Sequence, residues 1–254
     1  MKSNVSISIT ILTLFFLVSG LLVFSCSKSS PLSTTKPPIN VNGTPKPNQE
    51  AEVAALWLSD SLVAPDSLYT TILNNLATIR AEYGDSIPQV KEIFFWPPWV
   101  PSEVLLEVTE EAKRQIRAGQ YHNLDSLNSL LNFASMDTTS LRFSGLISLY
   151  FKGRLNPERL AELYLNVPSV VHAYSNGFVG DHRNVYPWIS DGVMTYLFRE
   201  AWGDCMSGCI SNLYWYFEAS PSGIKYIGAW HPGTEPEPDW WEEAKLGMHN
   251  FRGR

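Results

Sequence analysis

The sequence predicts an α+β fold with antiparallel sheets, on three observations. Residues 65–84 carry apolar side chains at helical spacing. Several short stretches after residue 102 alternate apolar and polar side chains with the period of a strand. Turn and capping residues fall between those stretches. The chain has 254 residues, a net charge of −6, 44% hydrophobic residues and nine Trp, which is enough apolar mass for a core. The acidic balance argues against a nucleic-acid partner, which needs a basic surface.

The N-terminus is built differently. Lys2 is followed by an apolar run, "VSISITILTLFFLVSGLLVF", and then by Val23-Phe24-Ser25-Cys26. A basic start, an apolar middle and a small residue before the cut make a secretory signal over residues 1–25. The Val-x-Ser-Cys ending resembles the lipobox of bacterial lipoproteins. That resemblance implies cleavage before Cys26, lipid on its sulfur and new amino group, and a membrane-anchored protein of the bacterial envelope. An uncleaved transmembrane anchor over residues 5–24 and free secretion are the alternatives. All three place residues 51–254 outside the inner membrane. Residues 26–50 read as a disordered tether, rich in Ser, Thr, Pro and Asn.

Residues 51–101 read as a helical and extended segment. "EVAALWL" is a short helix. Leu68, Ile72, Leu76, Ile79 and Tyr83 then form one stripe of a longer helix, opened by Pro65-Asp66 and stopped by Gly84. Four prolines break "IPQVKEIFFWPPWVPSEVLLEV", leaving a short strand over Ile93–Trp96 and an extended connection past Pro101. Trp96 and Trp99 read as cover for a core edge, with a ligand platform as the alternative.

In residues 102–177, Val104, Leu106 and Val108 share one strand face. Thr109 caps a helix with Glu110 and Glu111 in its first turn, and a leucine-striped piece follows Asn123. "SLRFS" and "GLISLYFKG" read as two strands. Asn156 and Pro157 start a second helix, with Leu155 and Leu160 as a hydrophobic staple, and "SVVHAYSNG" is the last strand. The order strand, helix, strand, strand, helix, strand is the split βαβ, ferredoxin-like plan. "YFKGRLNPERLAELYLNVPSVVHAYSNG" resembles the second half of the inhibitor-type propeptides of subtilisin-like proteases. That resemblance implies the same fold and a protease-binding sheet.

Residues 178–254 predict a three-stranded antiparallel meander and a tail helix. "GVMTYLFREAW" puts Met194, Tyr196, Phe198 and Trp202 on one face, and "ISNLYWYFEAS" and "IKYIGAW" complete the meander. Asp239 caps the tail helix, whose Trp241, Leu246 and Phe251 are placed to dock on the sheet. In "WGDCMSGC", Cys205 and Cys209 lie at the hairpin mouth. In an oxidising compartment they read as a disulfide. Two thiols and Asp204 fall short of a zinc ligand set, and C-x-x-x-C is not the redox spacing C-x-x-C.

No nucleophile elbow, HExxH, P-loop or dinucleotide fingerprint occurs, and no cofactor or metal is expected. Ser207 beside Asp204 reads as a turn serine. Asp181 and His182, in "VGDHRN", are candidate binding residues in a solvated loop. Tyr214 and Tyr216 alternate away from Trp215. If exposed, they can stack on sugar rings or a partner protein; if the helical cover or tail lies over them, they are core. The resulting expectation is a non-catalytic binding or structural module, its partner an envelope protein or glycan. A protease-inhibitor module and an enzyme with an unrecognised site are the alternatives.

Overall fold

The computed structural model describes residues 44–178 and 180–252. Helix α1 (Gln49–Ser59) opens them, and every residue from Ala51 to Trp57 is buried. A helix buried on all sides needs partners for any charge it carries. Buried Glu52 takes the Lys46 N–H at 2.9 Å and the Arg154 guanidinium. Asn48 caps the helix through the Ala51 N–H at 2.9 Å. The chain is therefore held from Lys46 onward, which moves the end of the expected tether back from residue 50. Helix α2 (Asp66–Tyr83) buries Ile72, Leu76 and Ile79, the stripe read from the sequence. A single turn, α3 (Gln89–Glu92), follows.

The first sheet has strand order β2-β3-β1-β4, every neighbouring pair antiparallel. Its strands are β1 (Trp99–Val108), β2 (Phe133–Asp137), β3 (Leu146–Phe151) and β4 (Val170–Gly177). Helices α4 (Glu110–Arg117) and α5 (Asp125–Leu130) lie between β1 and β2, and α6 (Pro157–Tyr164) between β3 and β4. Thr109 caps α4 through the Ala112 N–H, and Asn156 caps α6 with Pro157 in the first turn. Val104, Leu106, Val108, Ile147, Leu149 and Phe151 share one core with Leu155, Leu160 and Tyr164.

Two expectations fail here. The connection expected through Pro101 is already strand: β1 starts at Trp99, and Pro101 sits in a register break between Trp99 and Val104, where Ser102 adopts φ 65°. Such irregularities are where strands tolerate proline. "SLRFS" is no strand, because Thr139–Arg142 form a 3₁₀ helix, and β2 lies earlier in the chain. Asp137 accepts the Thr139 N–H at 2.7 Å and turns the chain there.

The second sheet is a meander, β5-β6-β7-β8. It has four strands, not three: β5 (Asn184–Ser190), β6 (Val193–Trp202), β7 (Ser211–Ser220) and β8 (Gly223–Trp230). Sequence reasoning missed β5, whose Pro187 is the kind of residue that only an edge strand holds. One face meets α2, where the Asn75 amide donates to the Tyr196 hydroxyl at 3.1 Å and Tyr83 lies edge-on to Phe217 at 5.3 Å. The other face meets helix α7 (Trp241–Arg252) and Trp240. A Cβ at Gly247 would fall 2.5 Å from the Trp188 ring, so glycine is what lets α7 approach the sheet. Trp241 and Phe251 dock as expected, while Leu246 is 63% exposed. Trp202, on the strand face of Met194, Tyr196 and Phe198, is 45% exposed at the end of β6.

Candidate functional site

An open, two-lobed cleft runs beside the proline-rich segment that precedes β1. One lobe, about 410 Å³, is lined by Trp96, Phe178, His182, Tyr186, Met206 and Phe251 among others. The other, about 460 Å³, includes Glu50, Val53, Phe94, Phe95 and Pro101. Trp96, Pro97 and Phe178 belong to both and form the ridge between them. These sizes are typical of ligand pockets.

The ridge arises from an alternation the sequence carries in "IFFWPPW". Ile93, Phe95 and Trp99 are buried, while Phe94 and Trp96 are 47% and 50% exposed. The segment pairs with no strand among the described residues, which corrects the short strand expected over Ile93–Trp96. Side chains satisfy its backbone instead. Buried Asn184 accepts the Trp96 N–H at 2.8 Å and donates to the Trp96 carbonyl at 2.9 Å. Glu50 accepts the Phe95 N–H at 2.9 Å and a two-pronged bond from Arg80 at 2.7 and 2.8 Å. Arg80 also donates to the carbonyls of Val90 and Ile93, each at 3.0 Å. The Trp96 backbone is fixed on both sides and its indole is presented outward.

The opposite rim is held by a second buried charge. Arg199, on β6, is 3% exposed and donates to both carboxylate oxygens of Asp181 at 2.6 Å. It also donates to Asn212 at 2.7 Å and to the Tyr186 hydroxyl at 3.3 Å. Burial opposes the Arg199 charge, but its bonds to Asp181 and Tyr186 outweigh that and push its pKa up. The Asp181 N–H donates to the Cys205 carbonyl at 2.7 Å, and the Cys209 N–H to the Asp181 carboxylate at 3.3 Å. Cys205 and Cys209 themselves sit at disulfide distance, with Cα atoms 4.0 Å apart. Asp181, a candidate binding residue from the sequence, also anchors the 203–210 loop.

His182 lies on the cleft wall, edge-on to Trp96 at 6.5 Å. Tyr214 and Tyr216 do not form a platform: they are 5% and 1% exposed. Trp188 stacks on Tyr216 at 5.5 Å, and Trp241 covers Tyr214 at 4.7 Å. The tail covers them, and they are core. Of the two prolyl tryptophans, Trp99 is core, 2% exposed, and Trp96 is not. Cys26 lies outside the described residues.

The Ser207 hydroxyl donates to the Asp204 carboxylate at 2.6 Å within its own turn, as a turn serine does. Among the described residues no three His, Cys, Asp or Glu are gathered to hold a metal ion, and no helix is long and apolar enough to cross a membrane. Compared with protein-family models, curated proteins and solved structures, the chain matches none of them.

Proposed function

We propose that the chain is a non-catalytic binding module of the bacterial cell envelope, lipid-anchored through Cys26, whose cleft takes a glycan. One observation carries this reading: the half-exposed indole of Trp96, whose backbone N–H and carbonyl are both held by Asn184. Sugar rings present apolar C–H faces that pack on aromatic planes, and hydroxyls that need polar neighbours. The ridge supplies Trp96 and Phe178 for the first need, and the walls supply His182 and Ser207 for the second. A backbone fixed before binding leaves little ordering cost for the ligand to offset.

The test is titration of the full-length chain with envelope glycan strands freed of peptide, followed by calorimetry. Saturable binding is expected, weakened at least ten-fold (about 1.4 kcal/mol) by Trp96→Ala with no change in melting temperature. Binding that ignores the substitution would refute the glycan reading, and binding only to peptides would move the module to a protein partner. Anchorage is tested separately: a radioactive fatty acid is expected to mark the wild type and not Cys26→Ala.

We also read the half from Trp99 to Gly177 as a ferredoxin-like split βαβ unit. The support is the order β2-β3-β1-β4, antiparallel throughout, with helical connections on either side of the β2-β3 pair. The protease-inhibitor alternative rests on that topology and on the resemblance of residues 150–177 to the inhibitor-type propeptides. After Gly177 the chain is tied by the Phe178 N–H to the Pro98 carbonyl at 3.2 Å and runs on into β5, so this end supplies no tail for a protease cleft.

A further inference from the structure

The two lobes of the cleft differ in chemistry. The lobe beside Met206 is bordered by the polar side chains of Asp181, His182, Asn184 and Ser207. The lobe beside α1, about 460 Å³, is bordered by Val53, Phe94, Phe95 and Pro101, besides the shared ridge of Trp96, Pro97 and Phe178. Its polar side chains are Asn48, Gln49 and Glu50. Two of these are already engaged: Glu50 by Arg80 and the Phe95 N–H, and the Asn48 Oδ1 by the Ala51 N–H. The aromatic wall is set in advance, because the Arg80 guanidinium lies over the Phe94 ring, 4.9 Å from its centroid. Phe94 and Phe178 nevertheless stay 47% and 48% exposed.

We infer that the ligand is an uncharged glycolipid, with its sugar in the lobe of His182 and Ser207 and its alkyl chain laid across the Trp96–Phe178 ridge into the lobe of Val53 and Phe94. This rests on the glycan reading and names the ligand within it. A sugar or a peptide in the second lobe would bring several hydroxyls or amides to a wall with few polar groups left to pair with them. An alkyl chain brings none, and it gains by covering the exposed Phe94 and Phe178 rings. The two lobes share their ridge residues, so one molecule that crosses the ridge fills both. Among the described residues no lysine or arginine lines either lobe, which leaves a phosphate or a free carboxylate without a counter-charge.

The experiment is calorimetric titration of the full-length chain in lipid nanodiscs, with empty nanodiscs as the reference. The probes are disaccharides cut from the envelope glycan strands and capped at the reducing end with a methyl, butyl, hexyl or octyl group. Affinity is expected to rise at least ten-fold (about 1.4 kcal/mol) from methyl to octyl. Complete burial of the chain would give about four-fold for each CH₂ (about 0.8 kcal/mol). Phe94→Ala is expected to flatten the series while leaving the methyl member within about two-fold of the wild type, since the ring is half exposed. A wild-type series of equal affinity at every length overturns the inference and leaves the glycan reading standing. So does a Phe94→Ala series with the wild-type slope, or 1-octanol binding as tightly as the octyl disaccharide. Failure of every member, methyl included, removes the glycan reading and this inference with it. A second measurement needs no variant. A nitroxide at the end of the octyl chain is expected to broaden the NMR signals of the Val53 methyls before that of the Met206 methyl; the reverse order would put the chain in the other lobe and refute the inference.

Discussion

Arg199→Met is expected to lower the free energy of unfolding by about 3–5 kcal/mol, the cost of leaving a buried charge without its partner. The carboxylate of Asp181 is left behind, with 17% of its side chain exposed and two strong bonds gone. Asn212 and Tyr186 each lose a donor in the same step. Urea unfolding followed by tryptophan fluorescence reads the change. Adding Asp181→Asn to Arg199→Met is expected to recover part of the loss, because it removes the carboxylate whose counter-charge is gone. If the single variant matches the wild type, the pair does not organise this rim. The variant is also expected to admit protease between residues 203 and 210, since the Cys205 carbonyl and the Cys209 N–H are both bonded to Asp181.

Phe251→Ala is the second large effect, about 3–5 kcal/mol from a cavity left in packed surroundings. The ring lies 4.8 Å from Trp57, 5.0 Å from Tyr186 and 5.7 Å from Phe95. Those residues belong to α1, β5 and the segment that carries Trp96, so a single side chain near the end of the chain joins three parts of the fold. At roughly 2–4 °C per kcal/mol for a domain of this size, the melting temperature is expected to fall by about 10 °C in calorimetry. Leu246→Ala, on the same helix but 63% exposed, is expected to cost under about 0.5 kcal/mol. Equal losses in the two variants would mean that α7 does not pack as described.

Legibility in the sequence followed the strength of local signals. α2, α4, α6 and the strands β3, β4, β6, β7 and β8 each announce themselves by periodicity or by a cap. β5 and β2 did not. β5 opens in a polar loop and contains Pro187, and β2 is five residues with little alternation between its faces. The fate of Tyr214 and Tyr216 turned on a contact no local pattern encodes: Trp240 and Trp241 reach them from the tail. The cleft was half visible. The alternation around Trp96 is in the sequence, but the clamp that holds it comes from Asn184, 88 residues away. The ion pair of Asp181 was not legible at all, because its partner, Arg199, lies 18 residues further on, in β6.

The passage from α1 to α2 belongs to both halves of the molecule. Leu62 and Val63 fill part of the core beneath the first sheet, and the Asn156 N–H bonds to the Leu62 carbonyl at 3.1 Å. Excised by itself, the stretch from Trp99 to Gly177 would keep its topology on paper and lose a wall of its interior. The interior of the first sheet is therefore completed from outside its own strands, and fraying of the α1–α2 passage would open it.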